Sequence, residues 1–350
     1  MRNLRRFFWV LCCSVAACGP ARDRGPVHDP SRPKGNPVPA PVRKLGAASE
    51  DVPLVDKPDG RYLVDHLYAC GGCHTPRLPN GEYDKTRYLA GVECVFDVDP
   101  APGRGCINSK NLTNHPRGLA NVRDDGAIKD MFLSGRRPDG KLLHPVMPYF
   151  DYHHMPPEHA DAIVAHLRRV PGVDHLVAVS EPPFDVPPSI ATAPLDLAAV
   201  AQVPASAVEA DSARRGRTLV TAACLGCHTP PPAEVVPGVA PLDLTRLLAG
   251  GRRFRAAVMH LASPPQPPVV YSQNLTQHAT GLAGWSAEDV VTVLRQGKDR
   301  QGQGVCEPMP AGPERAFGGL SDRDAHDIAN YLLLLPPIDN AVPSQCVHSP

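Results

Sequence analysis

The chain has 350 residues, 42% hydrophobic but only 5% aromatic, with 42 prolines and 36 basic side chains against 36 acidic ones. At about 100–200 residues per domain there is room for two, and the proline content suits long irregular connections better than one large core. The balanced charge gives no support to a nucleic-acid-binding surface or to a strongly acidic partner.

The N-terminus carries Arg2, Arg5 and Arg6 and then an apolar run from Phe7 to Ala17. That run is too short to cross a bilayer, and the layout is that of a secretory signal. It ends in "VAAC" at 15–18, which resembles the lipobox of bacterial lipoproteins. The expectation is a signal peptide over 1–17 and a lipidated Cys18; an ordinary signal cleaved after a small residue is the alternative. Residues 18–57, rich in proline and charge ("RPKGNPVPAPVRKLG"), read as a disordered tether.

From there the sequence runs twice. "GRYLV" (60–64) leads into "CGGCHTP" (70–76), and "GRTLV" (216–220) leads into "CLGCHTP" (224–230). "LAG" at 89–91 returns at 248–250, and "NLT" followed by "GLA" at 111–120 returns at 274–283. "VMPY" (146–149) answers "EPMP" (307–310), with Met147 and Met309 each following a glycine, Gly135 and Gly297, at the same interval. This is a duplication. Helices are expected over 60–70 and 212–224, and over 124–135 and 286–297, which open at capping residues and stop at glycine. "PPEHADAIVAHLRRVP" and "SDRDAHDIANYLLLLPP" close the repeats as helices. With no sustained period-two alternation, the fold class expected is all-α, with one unit at 58–172, a Pro-rich linker at 173–208, a second unit at 209–340 and a tail at 341–350.

Eleven cysteines sort by position. Two leave with the signal, Cys18 carries lipid, and Cys70, Cys73, Cys224 and Cys227 belong to the repeated motif. Cys94, Cys106, Cys306 and Cys346 remain, an even number in an oxidising compartment where disulfides persist. Four cysteines allow three connectivities; Cys94–Cys106 and Cys306–Cys346 keep each pair within one repeat.

Cys-x-x-Cys-His at the end of a helix is the signature of covalent c-type haem attachment. The spacing sets both sulfurs on one helix face, where they meet the vinyl groups along one haem edge, and the histidine swings a ring nitrogen onto the iron. Zinc would need a second ligand pair nearby, and a thioredoxin-like site a βαβ pattern; neither is present. His74 and His228 are thus axial ligands of two haems. For the sixth position each repeat offers a methionine before proline, Met147 and Met309. A thioether favours Fe(II), raises the potential and closes the iron, which points to electron transfer. His144 competes in the first repeat and Cys306 in the second. Met155 and Met259 have no repeat counterpart and read as core. His153, His154, His159 and His166 read as the polar face of an exposed helix, "NLT" as a structural turn, and the basic runs at 214–217 and 251–255 as solvated faces.

On "CLGCHTP", "LAGG", "YSQNLTQHATGLAGWSAEDVVTVLRQG" and "PMP", with their first-repeat counterparts, each half resembles a class I cytochrome c domain of the cytochrome subunits of bacterial membrane-associated alcohol and aldehyde dehydrogenases. Those subunits usually carry three haem domains and this chain has two; Trp285 of the second repeat has Val122 near its place in the first. The resemblance implies an exported dihaem cytochrome of the periplasm or cell envelope that passes electrons between a donor and an acceptor, such as a membrane-associated dehydrogenase or a terminal oxidase. It would be an electron carrier rather than an enzyme, held to the membrane by lipid and binding no nucleic acid. The alternative is a dihaem enzyme, a peroxidase or sulfur-compound dehydrogenase, with one open or thiolate-ligated haem.

Overall fold

In each repeat a helix delivers the Cys-x-x-Cys-His segment, a later helix closes over it, and glycine lets the two cross. The computed structural model describes residues 58–97, 106–178, 180, 193–233, 240–255 and 269–343. The expected signal peptide and tether, Cys18, Met259 and Cys346 lie outside them. The described residues fall within one compact unit.

In the first repeat α1 (Gly60–Tyr62) runs into a π-helical turn, Leu63–Leu67, and then α2 (Gly71–His74) carries the motif. Strands β1 (Val92–Asp97) and β2 (Cys106–Ser109) follow, then α3 (Asp125–Ser134), α4 (Tyr149–Tyr152) and α5 (Pro157–Leu167). The second repeat has α6 (Ala210–Ala223), α7 (Leu225–His228), β3 (Arg253–Arg255), β4 (Val269–Tyr271), α8 (Ala287–Gln296) and α9 (Asp322–Leu332).

Local chemistry sets the helix ends. The Asp124 side chain accepts the Gly126 amide to start α3, and Ser286 with Asp289 forms a reciprocal capping box on α8. Gly135 and Gly297 end these helices at φ 69° and 63°, the left-handed conformation that glycine adopts most easily. At the crossing of α6 and α9, a Cβ on Gly216 would stand 1.7 Å from the Asp327 carbonyl oxygen. Where α1 meets α5, a Cβ on Gly60 would stand 2.0 Å from the Ala162 carbonyl oxygen. These are the two glycines of "GRYLV" and "GRTLV".

The second crossing is also tied by charge. Arg215 donates to both Asp327 oxygens at 2.6 and 2.7 Å, and Ser212 donates to Oδ1 at 2.6 Å. Asp327 is only 2% exposed, so losing Arg215 strands a buried carboxylate, which costs about 3–5 kcal/mol. Arg217 spends its guanidinium on the carbonyls of Leu197, Val200 and Ala201. Arg252 likewise donates to the carbonyls of Thr229 and Pro241. The basic runs are therefore not simply solvated faces; three of their arginines fasten the chain to itself.

One apolar cluster runs through both repeats, joining Leu63, Leu67, Ile128, Ile163 and Leu167 to Leu219, Leu294, Ile328 and Leu332. Polar bonds cross the same boundary. Tyr62 donates to Asp324 at 2.5 Å, and His66 Nδ1 donates to the Ala316 carbonyl at 2.8 Å.

The all-α expectation is corrected. Among the described residues two antiparallel two-stranded sheets are present, β1 with β2 and β3 with β4, each between the motif and the Asn-Leu-Thr turn. Their strands are too short for alternation to be legible, and Arg253–Phe254–Arg255 gains its order from the partner strand rather than from an apolar face. The β1–β2 register breaks between Val92 and Phe96, where Cys94 has φ 55°. Across this pair Cys94 and Cys106 form a disulfide, with Cα atoms 4.7 Å apart.

The histidine reading is corrected as well. His159 is 4% exposed and bonds the Tyr68 hydroxyl through Nδ1 at 2.8 Å, and burial pushes its pKa down to about 4. His153 Nδ1 donates to the Leu133 carbonyl at 3.0 Å. These rings hold α4 and α5 to the core.

Candidate functional site

The two Cys-x-x-Cys-His segments are held by the same set of bonds. His74 Nδ1 lies 2.8 Å from the Lys110 carbonyl, and His228 Nδ1 lies 2.9 Å from the Gln273 carbonyl. A carbonyl only accepts, so each ring carries its proton on Nδ1 and presents Nε2 as a lone pair. Lys110 and Gln273 are the residues immediately before the two Asn-Leu-Thr turns. In those turns Asn111 and Asn274 accept from the backbone and hydroxyl of Thr113 and Thr276, at 2.9 and 2.7 Å in both. Both asparagines are buried, which makes "NLT" a structural turn.

The correspondence extends outward. The Gly91 and Gly250 amides donate to the His74 and His228 carbonyls at 2.8 and 2.7 Å. Thr75 and Thr229 hydroxyls accept the Leu89 and Leu248 amides at 3.1 Å. Leu89 and Leu248 hold φ 55° and 60°, a strain repeated at equivalent positions. Val122 and Trp285 donate to Leu119 and Leu282, which pairs them as counterparts.

Burial sets the ionisation of the motif. It pushes the His74 and His228 pKa values down, keeping the rings neutral and able to ligate. It also raises the Cys73 thiol, and pushes Cys70 and Cys224 up to about 12 and Cys227 up to about 11. Neutral thiols do not suit an activated nucleophile. All four are free of disulfides.

A cavity of about 1860 Å³ reaches both motifs, where one small-molecule site takes roughly 300–1,000 Å³. Cys224, Cys227, His228 and Met309 all line it, with Trp285, Leu294, Phe317 and Leu332 as apolar wall. Of the first set, Cys73 lines it, as do Val146 and Pro148 on either side of Met147. Cys70 and Met147 are partly buried against the apolar cluster, and His74 is buried.

The methionine loops also match. The Met147 and Met309 amides donate to the His144 and Cys306 carbonyls at 3.0 and 3.2 Å, so these two competitors are true counterparts. His144 Nδ1 accepts the Val146 amide at 3.1 Å. Cys306 is disulfide-bonded and so offers no thiolate; Cys346 lies outside the described residues. Met155 is 6% exposed in the core.

Residues 213–336 match the cytochrome c family.

The second repeat is therefore similar to cytochrome c domains.

Such a domain carries covalently bound c-type haem, and the residues present fit it: two neutral thiols, a histidine with Nε2 available, and an apolar cavity wall. Over 299 residues the chain is 28% identical to the cytochrome c subunit of a quinone-dependent alcohol dehydrogenase of Gluconacetobacter polyoxogenes, covering 82% of this chain and 57% of that one. Over 161 residues it is 29% identical to a fructose dehydrogenase cytochrome subunit of Gluconobacter japonicus, 42% of this chain and 31% of that one. Over 121 residues it is 39% identical to a dihaem cytochrome c-type protein of Cereibacter sphaeroides, 33% of this chain and 36% of that one. The chain thus spans well under two thirds of the length of these relatives. Among the described residues no helix is long and apolar enough to cross a membrane.

Sequence reading missed three residues at this site. Asp151, 3% exposed, accepts a hydrogen bond from the Gly226 amide inside the second motif, and burial pushes its pKa up to about 8. Glu307, 6% exposed, pairs with Arg77 of the first repeat at 3.2 Å. The only available signal was an acidic residue within a few positions of each methionine.

Proposed function

We propose that the chain is an exported dihaem c-type cytochrome lipoprotein that relays electrons between redox partners. Cys70 and Cys73 would hold one haem by thioether bonds, with His74 and Met147 as its iron ligands. Cys224 and Cys227 would hold the other, with His228 and Met309. Bound haem supplies a one-electron iron couple. The chain fixes each histidine through Nδ1, walls the second site with apolar side chains, and would offer a thioether to each iron. The observation that carries this reading is the doubled histidine–carbonyl bond, His74 to Lys110 and His228 to Gln273, beside two pairs of free cysteines.

The dehydrogenase subunits among the relatives support a membrane-associated dehydrogenase as donor, with a further redox protein or terminal oxidase as acceptor. Cys18 would tether the protein to the cell envelope, and Cys94–Cys106 and Cys306–Cys346 would brace the two halves. The rival enzyme reading needs an open or thiolate-ligated iron, and the disulfide at Cys306 counts against the thiolate.

Intact mass of the denatured exported protein tests this. It should exceed the mature chain by two haem groups, and Cys18→Ser should release the protein from membranes. A chain bearing one haem, or a haem extracted by acidified organic solvent, contradicts the proposal.

A further inference from the structure

The loop carrying Met309 is held partly by the other repeat. Within its own repeat, the Arg315 guanidinium donates to the Met309 carbonyl at 3.2 Å and to the Val305 carbonyl at 3.4 Å. The same guanidinium stands 3.8 Å from Glu307. Glu307 sits two residues before Met309 and is almost fully buried. Its closer partner is Arg77, at 3.2 Å, which lies three residues after His74 in the first motif. Arg77 is itself fixed: it donates to the Gly81 carbonyl at 2.8 Å and the Tyr83 hydroxyl at 3.2 Å, with its guanidinium 4.6 Å from the centre of the Tyr83 ring. Glu307 Oε2 has no hydrogen-bond partner, so Glu307 meets Arg77 through Oε1.

We propose that Arg77 and Glu307 are a positioning pair for the second site: the first haem-attachment segment holds the loop that delivers Met309 to the second iron. A buried carboxylate needs a pre-organised cationic partner, and a planar guanidinium pinned by Gly81 and Tyr83 meets that need better than a flexible ammonium. Met309 then occupies its place only while the two repeats stay docked. Ligation in one half therefore depends on a residue of the other. This rests on the dihaem reading with methionine ligation.

The test uses the full haem-bearing protein. Wild type first establishes the base: two haems by mass, two potentials, and a near-infrared sulfur-to-iron band worth two sites. If that band is missing, methionine ligation fails independently of this proposal. Arg77→Gln and Glu307→Gln should each weaken the band by up to one site's share and lower one potential, leaving the other in place. Arg77→Lys should restore part of both. A merely electrostatic role predicts something different: removing a positive charge lowers the potential, removing a negative one raises it, and the band stays whole. Opposite shifts with an intact band, or no shift, overturn the proposal. Should Glu307→Gln not accumulate with both haems, Arg77→Gln against Arg77→Lys decides, because Arg77 is 27% exposed at its side chain and Glu307 keeps a second cation, Arg315, at 3.8 Å.

Discussion

His228 Nδ1–H donates to the Gln273 carbonyl oxygen at 2.9 Å, and His74 Nδ1–H donates to the Lys110 carbonyl oxygen at 2.8 Å. Bonds of this kind fix the ring plane and the tautomer, leaving Nε2 for a metal. Because the acceptors are backbone carbonyls, no side-chain change at Lys110 or Gln273 removes them. His74→Ala and His228→Ala should each strip the proximal ligand from one haem while the thioether bonds keep it attached. Added imidazole should then bind one site per chain, as read in the Soret band. Wild-type protein should not respond.

Met147 and Met309 occupy equivalent loops, whereas Met155 is a core side chain. Met147→Ala and Met309→Ala should each open one haem, lower its potential and halve the near-infrared band. Met155→Ala should leave the spectrum alone and cost about 2–5 kcal/mol in urea unfolding, the usual cost of truncating a large buried side chain. A spectral change in Met155→Ala would reassign the first ligand.

The helix crossings should be intolerant of any side chain. Gly216→Ala and Gly60→Ala place a methyl where a carbonyl oxygen already lies, 1.7 and 2.0 Å from the added carbon. Each should cost at least the ~1–3 kcal/mol typical of overpacking, since the opposing atom is backbone and does not swing away. Near-neutral unfolding free energies for both variants would show that the helices sit farther apart than this.

Acid should weaken the protein through two equivalent aspartates. Hydrogen bonds from Thr86 and Arg87 hold Asp84 down to about 2, and bonds from Thr245 and Arg246 lower Asp243 in the same way. A carboxyl depressed by folding stabilises above its unfolded pKa of about 4, and that contribution fades as pH falls through the folded value. Urea midpoints should therefore drop between about pH 4 and pH 2. The Asp84→Asn/Asp243→Asn variant should be weaker at pH 7 and lose less over the acid window. Parallel curves for the two proteins would remove these residues from the account.

Much of the site was legible because covalent attachment demands fixed spacing. The two motifs, the two Asn-Leu-Thr turns, and Gly135 and Gly297 are local signals, and each lies at an equivalent place in its repeat. The sheets were not legible: β3 and β4 are three residues each, and β1 is broken at Cys94. Pairing across a long connection, not local pattern, creates them. The histidines of α4 and α5 and the arginines at 214–217 and 251–255 looked like surface by composition. His159 is buried, and Arg215, Arg217 and Arg252 are fastened by partners elsewhere in the chain, Asp327 for Arg215 being 112 residues away. Arg77 with Glu307 was invisible for the same reason, being a contact between repeats that no local window contains.

Carbon monoxide added to the fully reduced protein tests the central claim most directly, since it binds only iron with an open or displaceable position. With His74 and Met147 closing one haem and His228 and Met309 the other, the reduced spectrum should show two haems per chain and stay unchanged on addition. A spectral shift worth one haem per chain would contradict the relay and put the dihaem enzyme in its place.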